Sequence, residues 1–172
     1  KLLKDNGLLR EVKEEIDIDL EIAHASYIEV KRANSQALLF TNVISRETGR
    51  KFPPVLTNIY GSKRALELIF GTTPDAVASE ALLKPKKPKN FTEKLNFLNY
   101  LFSMRKIFVR RLKERGECQQ VSHFGENVDL RDLPALKTWE KDGGAFITMG
   151  QVYTQSLDGE LQNLGMYRLQ IY

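Results

Sequence analysis

Strand-forming stretches recur through the first part of this chain. Residues 37–43 form a continuous run of β-favouring residues, as expected of a buried central strand, and residues 55–60 predict the next strand. Residues 16–22 alternate between apolar and acidic positions, which favours a half-buried strand, although the acids equally suit the cap of a helix beginning near Leu20. Residues 8–15 fit either a short strand or a helical turn.

Helical patterns follow these strands. Ser62 is a good N-cap, the next residues place apolar side chains on one face, and Gly71 ends the helix. Thr73 and Pro74 begin a further helix as its N-cap and first residue. Strands followed by helices predict an α/β layer arrangement for this half. Another helical pattern covers residues 92–113.

After Gly116 the pattern changes to short strands and turns. The candidate strands are Cys118–Val121, Ala145–Met149, Gln151–Gln155 and Gly165–Tyr172, with turns at Asp142-Gly143-Gly144 and Asp158-Gly159. Charge divides the chain at the same place. Residues 1–116 hold 22 Lys/Arg against 14 Asp/Glu, net +8, and residues 117–172 hold 4 against 8, net −4. A domain boundary near Gly116 follows.

The basic residues concentrate in the segment 84–115, where 11 of them face only Glu93 and Glu114. Such a cluster attracts phosphate, and aromatic residues interleave with it, so a nucleic-acid groove is one interpretation. The aromatics also fit the apolar side of a helix, and the prolines at positions 85 and 88 fit an exposed linker. A solvated helix face or a subunit contact accounts for more of this pattern.

Composition points to an ordinary globular protein, 42% apolar and 28% charged over 172 residues. No apolar run approaches the length of a membrane span, and no signal-peptide pattern opens the chain. The single cysteine, Cys118, excludes an internal disulfide and suits a reducing compartment, so we expect a cytoplasmic protein. Because the chain starts at Lys1 and stops within a strand pattern, we expect it to be a fragment of a longer polypeptide.

Asn163, Gly165 and Arg168 form the strongest candidate for a small-ligand site. In a regular strand, side chains five residues apart point to opposite faces, so Asn163 and Arg168 would not meet. A glycine within a strand often marks a bulge, and a bulge at Gly165 would turn both polar groups toward one pocket. The alternative is an exposed edge strand with unrelated polar residues.

Other chemical patterns are weaker. His24, His123 and Cys118 share no metal-ligand spacing, and catalysis by a Cys–His pair would require a proximity that the sequence does not reveal. Trp139 fits core packing before a turn. The chain contains neither a P-loop nor a GxGxxG motif.

Short segments along the whole chain match one family in order. In the first half they are Leu20-Glu21-Ile22, Ala37-Leu38-Leu39-Phe40 with Asn42-Val43, and PVLTNIYG at residues 54–61. In the second half they are Cys118-Gln119, Val128-Asp129-Leu130, Leu133-Pro134, Trp139, Asp142-Gly143-Gly144, Ile147-Thr148, Asn163-Leu164-Gly165 and Tyr167-Arg168. On these residues the chain resembles the N-terminal part of the UbiD family of decarboxylases, which includes 3-octaprenyl-4-hydroxybenzoate carboxy-lyase. Departures are local: Asn34-Ser35-Gln36 replaces the family's glycines, and Phe40-Thr41-Asn42 replaces its acidic FEN.

The resemblance implies an α+β fold. An N-terminal α/β domain at residues 1–116, with a basic helical linker at 84–115, precedes the first strands of a split β-barrel (flavin-reductase-like) cofactor domain at residues 117–172, which is incomplete here. It also implies reversible, non-oxidative decarboxylation of an aromatic or α,β-unsaturated acid with prenylated FMN and Mn²⁺, often with K⁺, in ubiquinone or menaquinone biosynthesis. The family's remaining metal ligands and catalytic acids come later, so we expect the chain alone to be inactive.

The same resemblance assigns roles to four residues. Asn163 matches the position whose side-chain oxygen binds the metal, which suits a hard cation. Met166, Tyr167 and Arg168 match the segment that contacts the prenylated flavin. Arg168 also matches the arginine of the catalytic charge network, and its guanidinium can form a fork with a substrate carboxylate.

The family's partners complete the expectation. They are an aromatic acid substrate, a flavin prenyltransferase that supplies the cofactor, and further full-length copies in a homo-oligomer. A lipophilic substrate would bring peripheral contact with membranes, and nucleic acid is not among the partners. The competing class is a non-catalytic flavin- or nucleic-acid-binding module, which the basic segment and the lack of the catalytic half support.

Overall fold

The computed structural model describes residues 1–82, 90–104 and 113–172. These residues form two compact units, one of Lys1–Thr73 with Asp129–Tyr172 and the other of Pro74–Val128. Helices and small sheets are mixed, as the α+β prediction requires. The linker residues 84–89 lie outside the described residues, and the domain boundary at Gly116 remains a prediction.

The first unit contains most of the regular structure. Its helices are α1 (Leu2–Asp5), α2 (Glu21–Val30) and α3 (Lys63–Phe70). Its strands are β1 (Leu9–Val12), β2 (Ile16–Asp17), β3 (Ala37–Phe40), β4 (Val43–Ile44), β5 (Lys51–Phe52), β6 (Val55–Thr57), β7 (Phe146–Gln155) and β8 (Gln162–Gln170), with a 3₁₀ turn at Leu130–Asp132. The second unit contains α4 (Pro74–Leu82), α5 (Phe91–Met104) and 3₁₀ turns at Glu117–Gln119 and Gly125–Asn127.

Two three-stranded sheets share one connection. Their strand orders are β1-β3-β6 and β2-β4-β5, with β1 parallel to β3 and β2 parallel to β4. Parallel neighbours need a crossover, and α2 provides it for both pairs because the chain passes through β1 and β2 before the helix and through β3 and β4 after it. β6 and β5 close the two sheets as antiparallel edges.

The core lies around β3, which is buried on both faces. Leu38 and Phe40 contribute to a cluster with Ile22 of α2 and Val43 of β4, and Ala37 packs on the other side with Leu3 and Ala65. This confirms the prediction of a buried central strand over residues 37–40, since a strand covered on both faces has a continuous apolar run instead of an alternating one. The predicted continuation to residue 43 is wrong, because the chain bends at residues 41 and 42 and Val43 begins β4 in the other sheet.

Local signals locate the helix ends accurately. The Ser62 hydroxyl accepts a hydrogen bond from the Ala65 N–H at 3.2 Å, and Gly71 ends α3 in the left-handed conformation with φ +72°. α4 begins at Pro74 as predicted. The 16–22 segment divides, with a two-residue strand at β2 and a helix that begins at Glu21.

Three expectations for the second half are wrong. The predicted strand Cys118–Val121 is a 3₁₀ turn, in which the Gly116 N–H donates to the Gln119 side chain. The two predicted strands between Ala145 and Gln155 are the single strand β7. Trp139 is 60% exposed and does not pack in the core.

Of the predicted helix 92–113, the described portion is α5, and residues 105–112 lie outside the described residues. Within the described ranges, none of the helices has the length and apolar character needed to cross a membrane. β7 and β8 form an antiparallel hairpin, which the bridge between Leu136 and Phe146 joins to the segment before it. The hairpin lies within the residues predicted to begin a split barrel, and the barrel itself remains a prediction.

Candidate active site

Strand β8 carries all four predicted site residues. It pairs with β7 without interruption from Gln162, opposite Gln155, to Tyr167, opposite Gly150. The pairing then shifts, since Leu169 lies opposite Ile147. The extra residue is therefore in β7, where Thr148 and Met149 lie opposite Arg168. The predicted bulge at Gly165 is wrong, and β8 keeps the regular alternation of its side chains.

Asn163 and Tyr167 share one face of the hairpin. The Asn163 Nδ2 donates a hydrogen bond to the Tyr167 hydroxyl at 3.3 Å. Gly165 lies between them on the same face, and the Tyr167 ring occupies the space that a side chain there would need. With its nitrogen turned toward Tyr167, the amide of exposed Asn163 keeps its oxygen for another partner.

Arg168 lies on the opposite face, together with Met166. Its Nη1 donates to the Asp142 Oδ1 at 3.2 Å, and its Nη2 donates to the Asp142 Oδ2. Its guanidinium carbon also lies 3.7 Å from the centroid of the Phe146 ring, a cation–π contact. Asp142 is held in turn by the Trp139 N–H, which donates to Oδ2 at 3.1 Å.

This pair determines the local electrostatics. The hydrogen bonds from Arg168 hold the pKa of the Asp142 carboxyl below its ordinary value, and those from Asp142 raise the pKa of Arg168. Both groups are therefore charged over the whole physiological range. Arg168 is a permanent cation in a fixed orientation, which is the property needed to bind a carboxylate.

The structure thus brings Met166 and Arg168 to one face and Asn163 and Tyr167 to the other. Asn163 and Arg168 do not meet. A cavity of about 340 Å³ in the first unit is lined by other residues, among them Arg50, Arg131, Lys137 and Gly144. The roles assigned to Asn163, Met166, Tyr167 and Arg168 remain predictions.

Asp142 and Phe146 contact the predicted catalytic arginine but are not among the predicted site residues. Asp142 belongs to the Asp-Gly-Gly segment, which the sequence identifies as a turn and as a family match without assigning it a role in the site. Its ion pair with Arg168 spans 26 positions, and no spacing rule connects them. Asp142 could have been identified as a partner of Arg168 because its carboxylate comes just before β7, the strand that pairs with β8.

Asn163 is the one residue of this chain predicted to bind a metal. Among the described residues, no group of three or more His, Cys, Asp or Glu side chains is arranged to hold a metal ion. The exposed Asn163 Oδ1 fits a hard cation such as Mn²⁺ as one ligand of several.

Two family models match the chain. The N-terminal domain of 3-octaprenyl-4-hydroxybenzoate carboxy-lyase matches residues 1–83. The Rift-related domain of the same carboxy-lyase matches residues 110–172 and includes the whole hairpin. The chain belongs to the UbiD family. This confirms the resemblance read from its short motifs.

Individual relatives extend the comparison. An uncharacterized protein of Helicobacter pylori is 47% identical to this UbiD-family chain over 178 residues, which cover 100% of the chain and 29% of the relative. The structure of vanillic acid decarboxylase from Sedimentibacter hydroxybenzoicus in closed form matches with a TM-score of 0.70 and 24% identity, over 99% of this chain and 33% of that one.

A second enzyme has the same fold in two solved structures. The UbiD-class enzyme HmfF from Pelotomaculum thermopropionicum, in complex with FMN, matches with a TM-score of 0.67 and 20% identity, over 98% of this chain and 32% of that one. Its evolved dimeric form in complex with prFMN matches with a TM-score of 0.61 and 21% identity, over 98% and 34%. The chain therefore spans about a third of the length of these proteins.

Proposed function

We propose that this chain is the N-terminal part of a decarboxylase that removes or adds CO₂ on an aromatic or α,β-unsaturated acid, using prenylated FMN. The observation that carries the proposal is the match of two UbiD-family models, one to each half of the chain. Enzymes of the same fold include a vanillic acid decarboxylase and a UbiD-class enzyme solved with FMN and with prFMN. When bound, the prenylated flavin supplies the conjugated system that takes up the electron pair of the breaking C–CO₂ bond.

In this proposal Arg168 binds the carboxylate that is lost as CO₂. Asp142 accepts hydrogen bonds from Nη1 and Nη2, so among the contacts of the described residues the Nε–H edge of the guanidinium is left for a ligand. That edge forms a fork with a planar carboxylate. Met166 lies on the same face of β8 and is 65% exposed, which suits contact with a flat ring system.

Asn163 would hold the metal through Oδ1, with Mn²⁺ as the divalent ion and K⁺ as a second cation. The Tyr167 hydroxyl supports this role because it accepts the hydrogen bond from Nδ2 and so fixes which end of the amide is presented. Further oxygen and nitrogen ligands would come from outside the described residues.

We assign residues 117–172 to the first strands of a split β-barrel. Exposed apolar side chains on both faces of β8 support this assignment. Leu164 and Met166 lie on one face and Tyr167 and Leu169 on the other, and each is 40% exposed or more. An antiparallel pair with two apolar faces calls for further strands or ligands to cover it.

A quinone-precursor acid is the first substrate class to test, because the matched family models are named for 3-octaprenyl-4-hydroxybenzoate carboxy-lyase. Ubiquinone and menaquinone biosynthesis are both consistent with it. A flavin prenyltransferase would supply the cofactor, and the complete protein would assemble as a homo-oligomer.

The test uses the complete polypeptide, coexpressed with a flavin prenyltransferase and purified with Mn²⁺. We expect a bound prenylated flavin, detected by absorbance and mass spectrometry, and CO₂ release from at least one aromatic acid in a panel of hydroxybenzoates and naphthoates. Residues 1–172 alone should release none. A complete protein that retains the cofactor and metal but neither releases CO₂ nor exchanges labelled CO₂ with any panel acid would overturn the proposal.

A further inference from the structure

We propose that Asp142 is a positioning residue that orients the Arg168 guanidinium for the substrate carboxylate. The inference rests on the proposed function of Arg168. It adds a residue that contacts neither the reacting atoms nor the predicted metal ligand. Its role follows from three contacts that together fix the plane of the guanidinium.

The first contact is the fork between the two side chains. Each Asp142 oxygen accepts a hydrogen bond from a different terminal nitrogen of Arg168. Two parallel bonds set both the direction and the rotation of the guanidinium, whereas a single bond would set only its direction. The Asp142 side chain is 13% exposed and that of Arg168 is 40% exposed, so the pair has a protected inner end and an accessible outer end.

The second contact fixes Asp142 itself. The Trp139 N–H donates to Oδ2, and the Asp142 N–H donates to the Trp139 carbonyl at 3.0 Å. Two hydrogen bonds between Trp139 and Asp142 therefore hold the turn, and one of them fixes the carboxylate to the backbone. The third contact is the Phe146 ring, which covers one face of the guanidinium.

The fork leaves one edge of the guanidinium without a hydrogen bond from Asp142. Because the fork uses Nη1 and Nη2, the aspartate approaches the guanidinium end-on, and the edge that includes Nε lies to the side. Asp142 and a substrate carboxylate can then bind the same cation together. An arginine held in this way before the substrate arrives loses little conformational freedom on binding.

The decisive experiment is a double-mutant cycle in the complete protein. Asp142→Asn keeps the shape of the side chain and removes its charge, so we expect a loss of roughly 10- to 100-fold in kcat/KM for the aromatic acid. Arg168→Gln measures the full loss in kcat/KM when the guanidinium itself is removed. The double variant should be no slower than Arg168→Gln alone, because Asp142 acts through Arg168.

Asp132→Asn is the matched control. Asp132 accepts a hydrogen bond from Arg50 at 2.7 Å, so this change also removes an aspartate charge beside an arginine, although Arg50 keeps its hydrogen bonds to Asp129. The control should leave kcat/KM near that of the unmodified protein. Thermal unfolding is measured for every variant, and Asp142→Glu, which keeps the carboxylate, should recover part of the activity.

Benzoate binding gives a readout that does not depend on turnover. Calorimetry with the complete protein should show that the affinity for benzoate falls by a similar factor in Asp142→Asn and Arg168→Gln. The affinity should be unchanged in Asp132→Asn. Losses that multiply in the double variant, or an Asp142→Asn protein with normal kcat/KM and normal benzoate affinity, would overturn the inference and leave the proposed function standing. An Arg168→Gln protein as active as the unmodified one would instead overturn the role of Arg168.

Discussion

The ring of Tyr167 lies directly across Gly165, so that a Cβ atom at position 165 would come within 2.5 Å of the Tyr167 Cε2. This position lets the Tyr167 hydroxyl reach the amide of Asn163 on the same face of the strand. The glycine at position 165 thus makes room for the Tyr167 ring and does not form a bulge. The result is an amide whose oxygen is directed by an aromatic residue four positions later.

Gly165→Ala tests this arrangement. The added methyl group would displace the Tyr167 ring and release the Asn163 amide, so we expect Mn²⁺ affinity in the complete protein to fall roughly tenfold. Tyr167→Phe, which removes only the hydroxyl, should shift affinity in the same direction. Metal content after dialysis against graded Mn²⁺ measures both variants. Tyr153→Phe on the other face of the hairpin is the control. Mn²⁺ binding unchanged in both test variants would contradict the orientation of the Asn163 amide by Tyr167.

How much of the structure the sequence predicts depends on how far apart along the chain the interacting residues lie. The helix α3 is predicted to the residue because Ser62 and Gly71 act on their immediate neighbours. The irregularity in β7 opposite Arg168 depends on how two strands pair, and a glycine in the wrong strand gives a misleading signal. The contact between Asp142 and Arg168 joins residues 26 positions apart, so the local pattern around either residue does not predict it.

Gly61 is required by the side chain of Asn58. A Cβ atom at position 61 would lie 2.3 Å from the Asn58 Nδ2, which donates to the Ser35 Oγ at 2.7 Å and to the Gln36 carbonyl at 2.8 Å. We therefore expect Gly61→Ala to destabilise the first unit by about 1–3 kcal/mol. Urea denaturation measures the change.

The control for this substitution is Gly116→Ala, because the nearest atom to its new methyl group would be the Cys118 Sγ at an ordinary 3.5 Å. Its unfolding midpoint should stay close to that of the unmodified chain. Equal urea midpoints for Gly61→Ala and the unmodified chain would show that the Asn58 side chain can adopt another conformation without loss of stability.

Glu29 is a carboxylate buried in the first unit, 2% exposed. It accepts hydrogen bonds from the Arg10 guanidinium and from the Gln36 N–H at 3.0 Å, and Arg32 lies 3.5 Å away. Glu29→Ala removes all three contacts and deprives the half-buried Gln36 N–H of its acceptor, so we expect a loss of about 2–4 kcal/mol in the free energy of unfolding.

Glu29→Gln separates the charge from the hydrogen bond. Its amide oxygen can still accept from Gln36, so the expected loss is smaller, about 1–2 kcal/mol. Glu67→Gln is the control, since its partner Arg64 is exposed and 3.7 Å away, and it should change stability by less than about 0.5 kcal/mol. A Glu29→Ala chain as stable as the control would contradict the prediction.

Asp129 makes the stability of the first unit depend on pH. Hydrogen bonds from Arg131, and further ones from Arg50, hold the pKa of its carboxyl well below the ordinary value. A carboxyl whose pKa is lower in the folded than in the unfolded chain stabilises the fold fully above the unfolded pKa, near 4, and progressively less as the pH falls through the folded value. Asp129→Asn should therefore lower the urea midpoint at pH 7, and the gap from the unmodified chain should narrow at pH 3. Glu126→Gln controls for the loss of one negative charge at an exposed turn. A gap that stays constant or widens on acidification would mean that Asp129 contributes through packing and not through its ionised form.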